Sequence, residues 1–274
     1  MNDSLLTAVL VAVGVLVAIG LLCALILVIA AKFFAVKVDE KELKIRACFP
    51  GANCGACGFT GCDGYAKALA GDPTLPANLC VPGGESTAKQ LGEVLGVSVD
   101  AAARQVAYVH CNGTCANTEE KYDYKGIPTC AGAKLFYGGD GACTTGCLGY
   151  GDCAKVCPSG AIFNNNGVAC VDPAKCTGCG LCAKACPNLV IRLIPADAGT
   201  VVTCNNKEKG AIATKQCRNS CIGCKKCELH CHNGAIKVVE NYAHIDYTKC
   251  DGCHECEGLC PRHTIKHVDF KQAQ

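Results

Sequence analysis

One pattern constrains this chain more than any other. The run Cys176-x2-Cys179-x2-Cys182-x3-Cys186-Pro187 is written again 74 residues later as Cys250-x2-Cys253-x2-Cys256-x3-Cys260-Pro261. The repetition extends past the runs: Cys130, Cys143, Cys147, Cys153 and Cys157 map without a gap onto Cys204, Cys217, Cys221, Cys227 and Cys231, and Gly160-Ala161-Ile162 maps onto Gly234-Ala235-Ile236. Nine cysteine matches at one offset describe a duplicated unit. Between its cysteine groups each unit reads as a short hairpin. The first has Ala161 to Phe163, an Asn-Asn-Asn-Gly turn and Val168 to Val171; the second has Ala235 to Val239, Glu240-Asn241 and Tyr242 to Ile245. Strands this short bury too little apolar surface to hold together alone, so whatever the cysteines bind must supply much of the folding free energy.

Twenty-eight cysteines in 274 residues admit disulfides, zinc or iron–sulfur clusters. The compartment helps to choose. Leu5 to Ala31 carries no charge, and its 27 residues make a helix of about 40 Å, longer than the ~30 Å hydrocarbon core of a bilayer. Only Asp3 precedes it, whereas Lys32, Lys37, Lys41, Lys44 and Arg46 follow. The positive-inside rule reads this as an uncleaved single-pass anchor in a bacterial or archaeal inner membrane, with the rest of the chain in the cytoplasm. A reducing cytoplasm argues against disulfides; the alternative is a cleaved signal sending a disulfide protein outside.

The repeated run has the spacing of bacterial ferredoxins. Two-residue gaps let three thiolates wrap one cluster, and the cysteine three residues on, before proline, serves a second cluster. Cross-ligation then gives two complete sets in the C-terminal repeat, Cys221, Cys224, Cys227 and Cys260, and Cys231, Cys250, Cys253 and Cys256. In the central repeat Cys157, Cys176, Cys179 and Cys182 are complete, while Cys147, Cys153 and Cys186 lack a fourth ligand because Tyr150 stands where Cys224 stands in the other repeat. Cys143, the nearest spare thiol, is assigned as that ligand; a 3Fe-4S cluster on the remaining three is the competing reading. Cys54-x2-Cys57-x4-Cys62-x17-Cys80, set among glycines, makes a fifth set. Zinc is the alternative occupant throughout, but zinc sites use two separated pairs rather than a triple run. Cys111, Cys115 and Cys130 could begin a sixth site without an evident fourth ligand. Cys48, Cys170, Cys204 and Cys217 receive no role, and Cys23 lies inside the apolar segment.

The expected fold is α+β, made of small irregular iron–sulfur domains. A transmembrane anchor (1–31) and a linker (32–47) precede an N-terminal 4Fe-4S domain (48–109). A central ferredoxin-like repeat with an N-terminal extension (110–200) and a C-terminal repeat (201–274) follow. Ser86 to about Val109 has helical character. No phosphate-binding glycine loop and no nucleophile–base pair is present, so no catalytic residues and no flavin or nicotinamide site are expected in this chain. The net charge of +2 leaves no basic footprint for nucleic acid.

The anchor, the motif Gly-Ala-Asn-Cys-Gly-Ala-Cys-Gly-Phe-Thr-Gly-Cys with the later Cys80-Val-Pro-Gly-Gly, the segment Cys147-Leu-Gly-Tyr-Gly-Asp-Cys153 and the ferredoxin runs together resemble the B subunits of Rnf complexes. The resemblance covers essentially the whole chain. It implies an electron-transfer subunit of an ion-translocating ferredoxin:NAD oxidoreductase, with soluble ferredoxin as donor, the other Rnf subunits as partners, and at least five 4Fe-4S clusters. Many relatives have one ferredoxin-type pair, so the second repeat implies an extended relay. A polyferredoxin serving another membrane reductase or hydrogenase, or a redox-regulatory electron donor, are the alternatives.

Overall fold

The computed structural model describes residues 2–33, 39–72, 74–100 and 103–270. Helix α1 (Asn2–Phe33) lies in the first compact unit, Met1–Leu43. Its stretch Val9–Lys32 is long and apolar enough to cross a membrane, and the side chains described there are almost all exposed. Apart from Lys32 at its end this stretch is uncharged and apolar all round, so it has no polar face to give to water. Lys37, counted among the flanking charges, lies outside the described residues.

Everything from Lys44 onward forms the second unit. The chain passes through α2 (Glu40–Ala47) into α3 (Cys62–Gly71) and α4 (Gly84–Leu95). Ile45, Phe49, Tyr65, Ala66, Leu69 and Leu91 make a small core. Tyr65 organises it: its ring stacks on Phe59 at 4.9 Å, and its hydroxyl donates to the Pro76 carbonyl at 2.6 Å and accepts from the Leu79 N–H at 3.3 Å. The long helix expected from Ser86 to about Val109 is not one element. Gly96 adopts a left-handed conformation (φ 70°) that ends α4, and Gln105–Val109 is a strand, β1. Its apolar residues Val106 and Val109 fit a helical period as well as a strand face, and pairing with a distant partner decides between them.

The central repeat runs α5 (Cys130–Lys134), α6 (Asp152–Lys155), β2 (Ile162–Asn165), β3 (Val168–Val171), α7 (Leu181–Ala185) and β4 (Ile191–Pro195). The C-terminal repeat runs β5 (Thr200–Val202), α8 (Gly210–Gln216), α9 (Lys226–His230), β6 (Ile236–Val239), β7 (Tyr242–Ile245), α10 (Glu255–Leu259) and β8 (Ile265–His267). Among the described residues these make four two-stranded antiparallel sheets: β1–β4 and β2–β3 in one repeat, β5–β8 and β6–β7 in the other. The hairpins read from the sequence are β2–β3 and β6–β7. The second turns through Glu240 and Asn241, both left-handed (φ 48° and 67°), as a two-residue hairpin loop requires. Because β1 pairs with β4, residues 105–109 close the central repeat rather than the N-terminal domain.

That pairing exposes a correspondence hidden in the sequence. Val109 faces Ile191 in one repeat and Val202 faces Ile265 in the other, so Cys111, two residues past β1, occupies the place of Cys204, two residues past β5. The uninterrupted 74-residue offset pairs Cys204 with Cys130 instead. The central repeat holds an insertion: 32 residue steps separate Cys111 from Cys143, against 13 from Cys204 to Cys217.

Candidate iron–sulfur sites

Four loops of the two repeats share one backbone. Each places two left-handed residues just before a short helix: Gly149 and Gly151 before α6, Gly178 and Gly180 before α7, Gly223 and Lys225 before α9, Gly252 and His254 before α10. Such a loop curls its thiols and N–H groups toward one centre. The helix then carries one further thiol, Cys153, Cys182, Cys227 or Cys256, on its first turn.

The thiols come together in fours. Burial, then the neighbouring thiols Cys176, Cys179 and Cys157, push Cys182 up to about 11. Burial and then Cys221, Cys260 and Cys224 push Cys227 up to about 12, and burial with Cys250, Cys253 and Cys231 pushes Cys256 up to about 11. In the N-terminal domain Cys80 is raised by burial and by Cys62, Cys54 and Cys57. Desolvated thiols that repel one another's ionised form call for positive charge at their centre, which metal ions supply. Backbone donors already face the sulfurs: Ala107 N–H reaches Cys176 Sγ at 3.4 Å, Ala161 N–H reaches Cys157 Sγ at 3.3 Å, and Thr264 N–H reaches Cys260 Sγ at 3.4 Å. For Cys157 burial opposes ionisation, but the Ser159 hydroxyl and the surrounding N–H groups outweigh it and hold the thiol below its usual range.

The fourth group differs from the one expected. Cys130, and not Cys143, lines a cavity of about 50 Å³ with Cys147, Cys153 and Cys186. Burial and then Cys147, Cys130 and Cys186 push Cys153 up to about 12. Cys130 reaches the site because it begins α5, whose Ala131 N–H donates to the Asp152 carboxylate at 3.0 Å, one residue before Cys153. Tyr150, at the position of Cys224, turns away and donates its hydroxyl to Asp140 at 2.6 Å. A three-thiol site is therefore not what the geometry presents. The clue in the sequence is Cys130 itself, masked there because its apparent counterpart, Cys204, has no evident role.

Cys143 joins a different neighbourhood, a cavity of about 40 Å³ lined by Cys111, Cys143, Cys204 and Cys217, with Cys147 of the neighbouring set also on its wall. Of the sixth-site candidates, Cys111 thus meets Cys143 rather than Cys115 or Cys130. Cys115 is exposed against the β2–β3 turn, where its N–H donates to the Asn166 carbonyl at 3.0 Å. Cys48 donates to the Lys44 carbonyl at 3.3 Å, and Cys170 leans on Val168.

The distance between thiols bears on iron–sulfur against zinc. A tetrahedral zinc–thiolate site holds its sulfurs about 3.8 Å apart, given a Zn–S bond of about 2.3 Å. Among the described residues the only three His, Cys, Asp or Glu ligand atoms within 4.8 Å of one another belong to His232, Cys253 and Glu255, all exposed. No three sulfurs of a four-thiol set lie that close together.

The ligand loops of the N-terminal domain and the central repeat also touch. Lys184, beside Cys182 and Cys186 on α7, donates to the Cys54 carbonyl at 3.3 Å, and a Cβ built on Gly178 would lie 3.3 Å from Val81, next to Cys80. The N-terminal set therefore abuts the Cys176 loop. Helices α6 and α7 then carry the two central sets, and α9 and α10 the two C-terminal ones.

The chain is similar to known iron–sulfur proteins along most of its length. An Fe-S cluster family model matches residues 49–82, a 4Fe-4S binding domain matches 169–192, and a 4Fe-4S dicluster domain matches 220–264. The chain is 42% identical over 90% of its length to the B subunit of the Na⁺-translocating ferredoxin:NAD⁺ oxidoreductase complex of Acetobacterium woodii, covering 74% of that protein. It is 40% identical over 82% of its length to the B subunit of the proton-translocating ferredoxin:NAD⁺ oxidoreductase complex of Clostridium ljungdahlii, covering 80% of it. To the B subunit of the ion-translocating oxidoreductase complex of Methanosarcina acetivorans it is 38% identical over 88% of its length, covering 91%. With iron–sulfur domains along its length and such similarity across most of it, the chain belongs to the family of B subunits of Rnf-type ion-translocating oxidoreductase complexes.

Proposed function

We propose that this chain is a membrane-anchored electron relay. It takes electrons from reduced ferredoxin and passes them, through 4Fe-4S clusters held by its cysteines, to the other subunits of an ion-translocating ferredoxin:NAD oxidoreductase. The observation that carries this reading is the succession of four-thiol sets, the N-terminal one abutting the Cys176 loop and each repeat pairing two sets on neighbouring helices. Helix α1 serves as the anchor, with the iron–sulfur part on the cytoplasmic side.

Five sets hold clusters: Cys54, Cys57, Cys62 and Cys80; Cys157, Cys176, Cys179 and Cys182; Cys130, Cys147, Cys153 and Cys186; Cys221, Cys224, Cys227 and Cys260; Cys231, Cys250, Cys253 and Cys256. A cluster with four thiolate ligands has no open position, so the chemistry it supplies is exchange of one electron without bond making. The protein's share is to hold the sulfurs, exclude water and set potentials through N–H donors such as those on Cys157 and Cys260. The ion pathway belongs to the partner chains of the complex, since one helix cannot enclose one.

Entry at the C-terminal repeat is favoured by exposure and charge. Cys224 and Cys253 are exposed, while Cys179 and Cys182 are buried. Residues 205–274 carry 11 Lys or Arg against 8 acids, while residues 32–204 carry 15 of each. Such an excess beside an exposed set would steer an acidic donor. The test is to mix the anaerobic full chain with reduced ferredoxin. Oxidation of the ferredoxin with bleaching of the chain's iron–sulfur absorption is expected; a chain that a chemical reductant bleaches but ferredoxin does not would overturn the donor assignment.

A further inference from the structure

Four thiols remain gathered at the joint between the two repeats. A Cβ built on Gly113 would lie 3.5 Å from Cys111 Sγ and 3.7 Å from Cys217 Sγ, and one built on Gly146 would lie 3.4 Å from Cys143 Sγ and 3.6 Å from Cys111 Sγ. Cys204 completes the ring of the cavity. Each repeat contributes half. Cys111 and Cys204 follow the equivalent strands β1 and β5, while Cys143 and Cys217 each stand four residues before the first cysteine of the next loop.

The two halves are hydrogen-bonded alike. Cys111 Sγ accepts from Gly113 N–H at 3.4 Å and Cys147 N–H at 3.3 Å; Cys204 Sγ accepts from Asn206 N–H at 3.4 Å and Cys221 N–H at 3.2 Å. N–H donors on a sulfur are what ligands of the other sets receive, and they stabilise a thiolate. The cavity, about 40 Å³, falls between the roughly 20 Å³ at Cys221, Cys224, Cys227 and Cys260 and the roughly 50 Å³ at Cys130, Cys147, Cys153 and Cys186. No three of its sulfurs lie within 4.8 Å of one another, so it is wider than a zinc site.

The joint is held stiffly enough to present four thiols from two units. Asn205 donates to the Thr145 and Asn188 carbonyls, both at 3.3 Å, and Asn188 donates to the Gly146 carbonyl at 2.6 Å. His110 Nδ1 lies 2.7 Å from the Val202 carbonyl, and Arg218 N–H reaches the Asn117 carbonyl at 2.8 Å.

From this geometry we propose that Cys111, Cys143, Cys204 and Cys217 hold a sixth 4Fe-4S cluster, built from equivalent halves of the two repeats. Cys111 Sγ is hydrogen-bonded to the backbone of Cys147, a ligand of one flanking set, and Cys204 Sγ to that of Cys221, a ligand of the other. The site therefore lies between the central and C-terminal pairs and joins them, each transfer oxidising one cluster by one electron as its neighbour is reduced by one. This role as a joint rests on the relay reading above, whereas the site itself does not.

The test is metal analysis of the anaerobically reconstituted full chain, with Cys143→Ala, Cys217→Ala and the double variant. The wild type should hold about 24 irons, and each single variant about four fewer. The double should lose no more than either single, because the two residues share one cluster. About 20 irons in the wild type, with or without one zinc, would overturn the site even if every variant failed to fold. So would unchanged iron in both singles, or a double that loses about eight. Failure of ferredoxin to reduce a chain carrying about 24 irons would remove the relay and leave the site standing.

Discussion

At the scale of single residues, Cys130 decides how well the chemistry can be read from the sequence. Cys130→Ala should remove the cluster of Cys147, Cys153 and Cys186, or convert it to a three-iron form with its own EPR signal, while Cys115→Ala and Cys170→Ala leave iron content unchanged. An unaltered EPR spectrum in Cys130→Ala would return the fourth-ligand role to another residue. The x2-spaced and cross-ligated groupings are legible because the spacing is itself the geometry: a loop of two residues can bring its thiols to only one centre. The partner of Tyr150's site is not legible. It depends on an inserted helix, α5, whose register against α6 is set by the contact between Ala131 and Asp152 and not by any distance along the chain.

At the scale of elements, α9 offers a test of why a lysine occupies an awkward backbone. Lys225 is exposed and left-handed (φ 60°), where the equivalent residues Gly151 and Gly180 are glycines. A side chain in that conformation costs about 1 kcal/mol relative to glycine. Lys225→Gly should therefore keep full iron content and gain up to about 1 kcal/mol of stability. If the charge serves docking, the same variant slows reduction by ferredoxin and flattens its salt dependence, and Lys225→Glu with Lys226→Glu does so more strongly. Ferredoxin rates that match wild type at low ionic strength would move the entry point to another set. The hairpins of both repeats are readable from alternation and turn residues. Strand β1 is not, because its partner, β4, lies more than 80 residues away in the sequence and a five-residue apolar stretch does not announce its period.

At the scale of the whole molecule, the cores are small and their walls are partly cysteine: Cys153 and Cys182 sit in one, Cys204, Cys221 and Cys227 in another. Removing iron should therefore unfold the part from Lys44 onward, seen as new protease cleavage throughout it and loss of its strand signal, while α1 in detergent keeps its helical signal. Protease resistance that survives iron removal would show that apolar packing alone sustains the fold. The repeat, the anchor-like segment and the iron–sulfur plan are all visible in the sequence. The joint between repeats is hidden, because a site shared by two copies of one unit shows only half its ligands in each.

The central claim is that electrons given to this chain travel its length. It is tested most directly by freeze-quench EPR of the anaerobic full chain mixed with reduced ferredoxin, using Cys54→Ala to identify the spectrum of the N-terminal set by difference. The account predicts that signals from the C-terminal sets rise first and that the N-terminal signal follows within the same reaction. An N-terminal signal that a chemical reductant elicits but ferredoxin never does would contradict it.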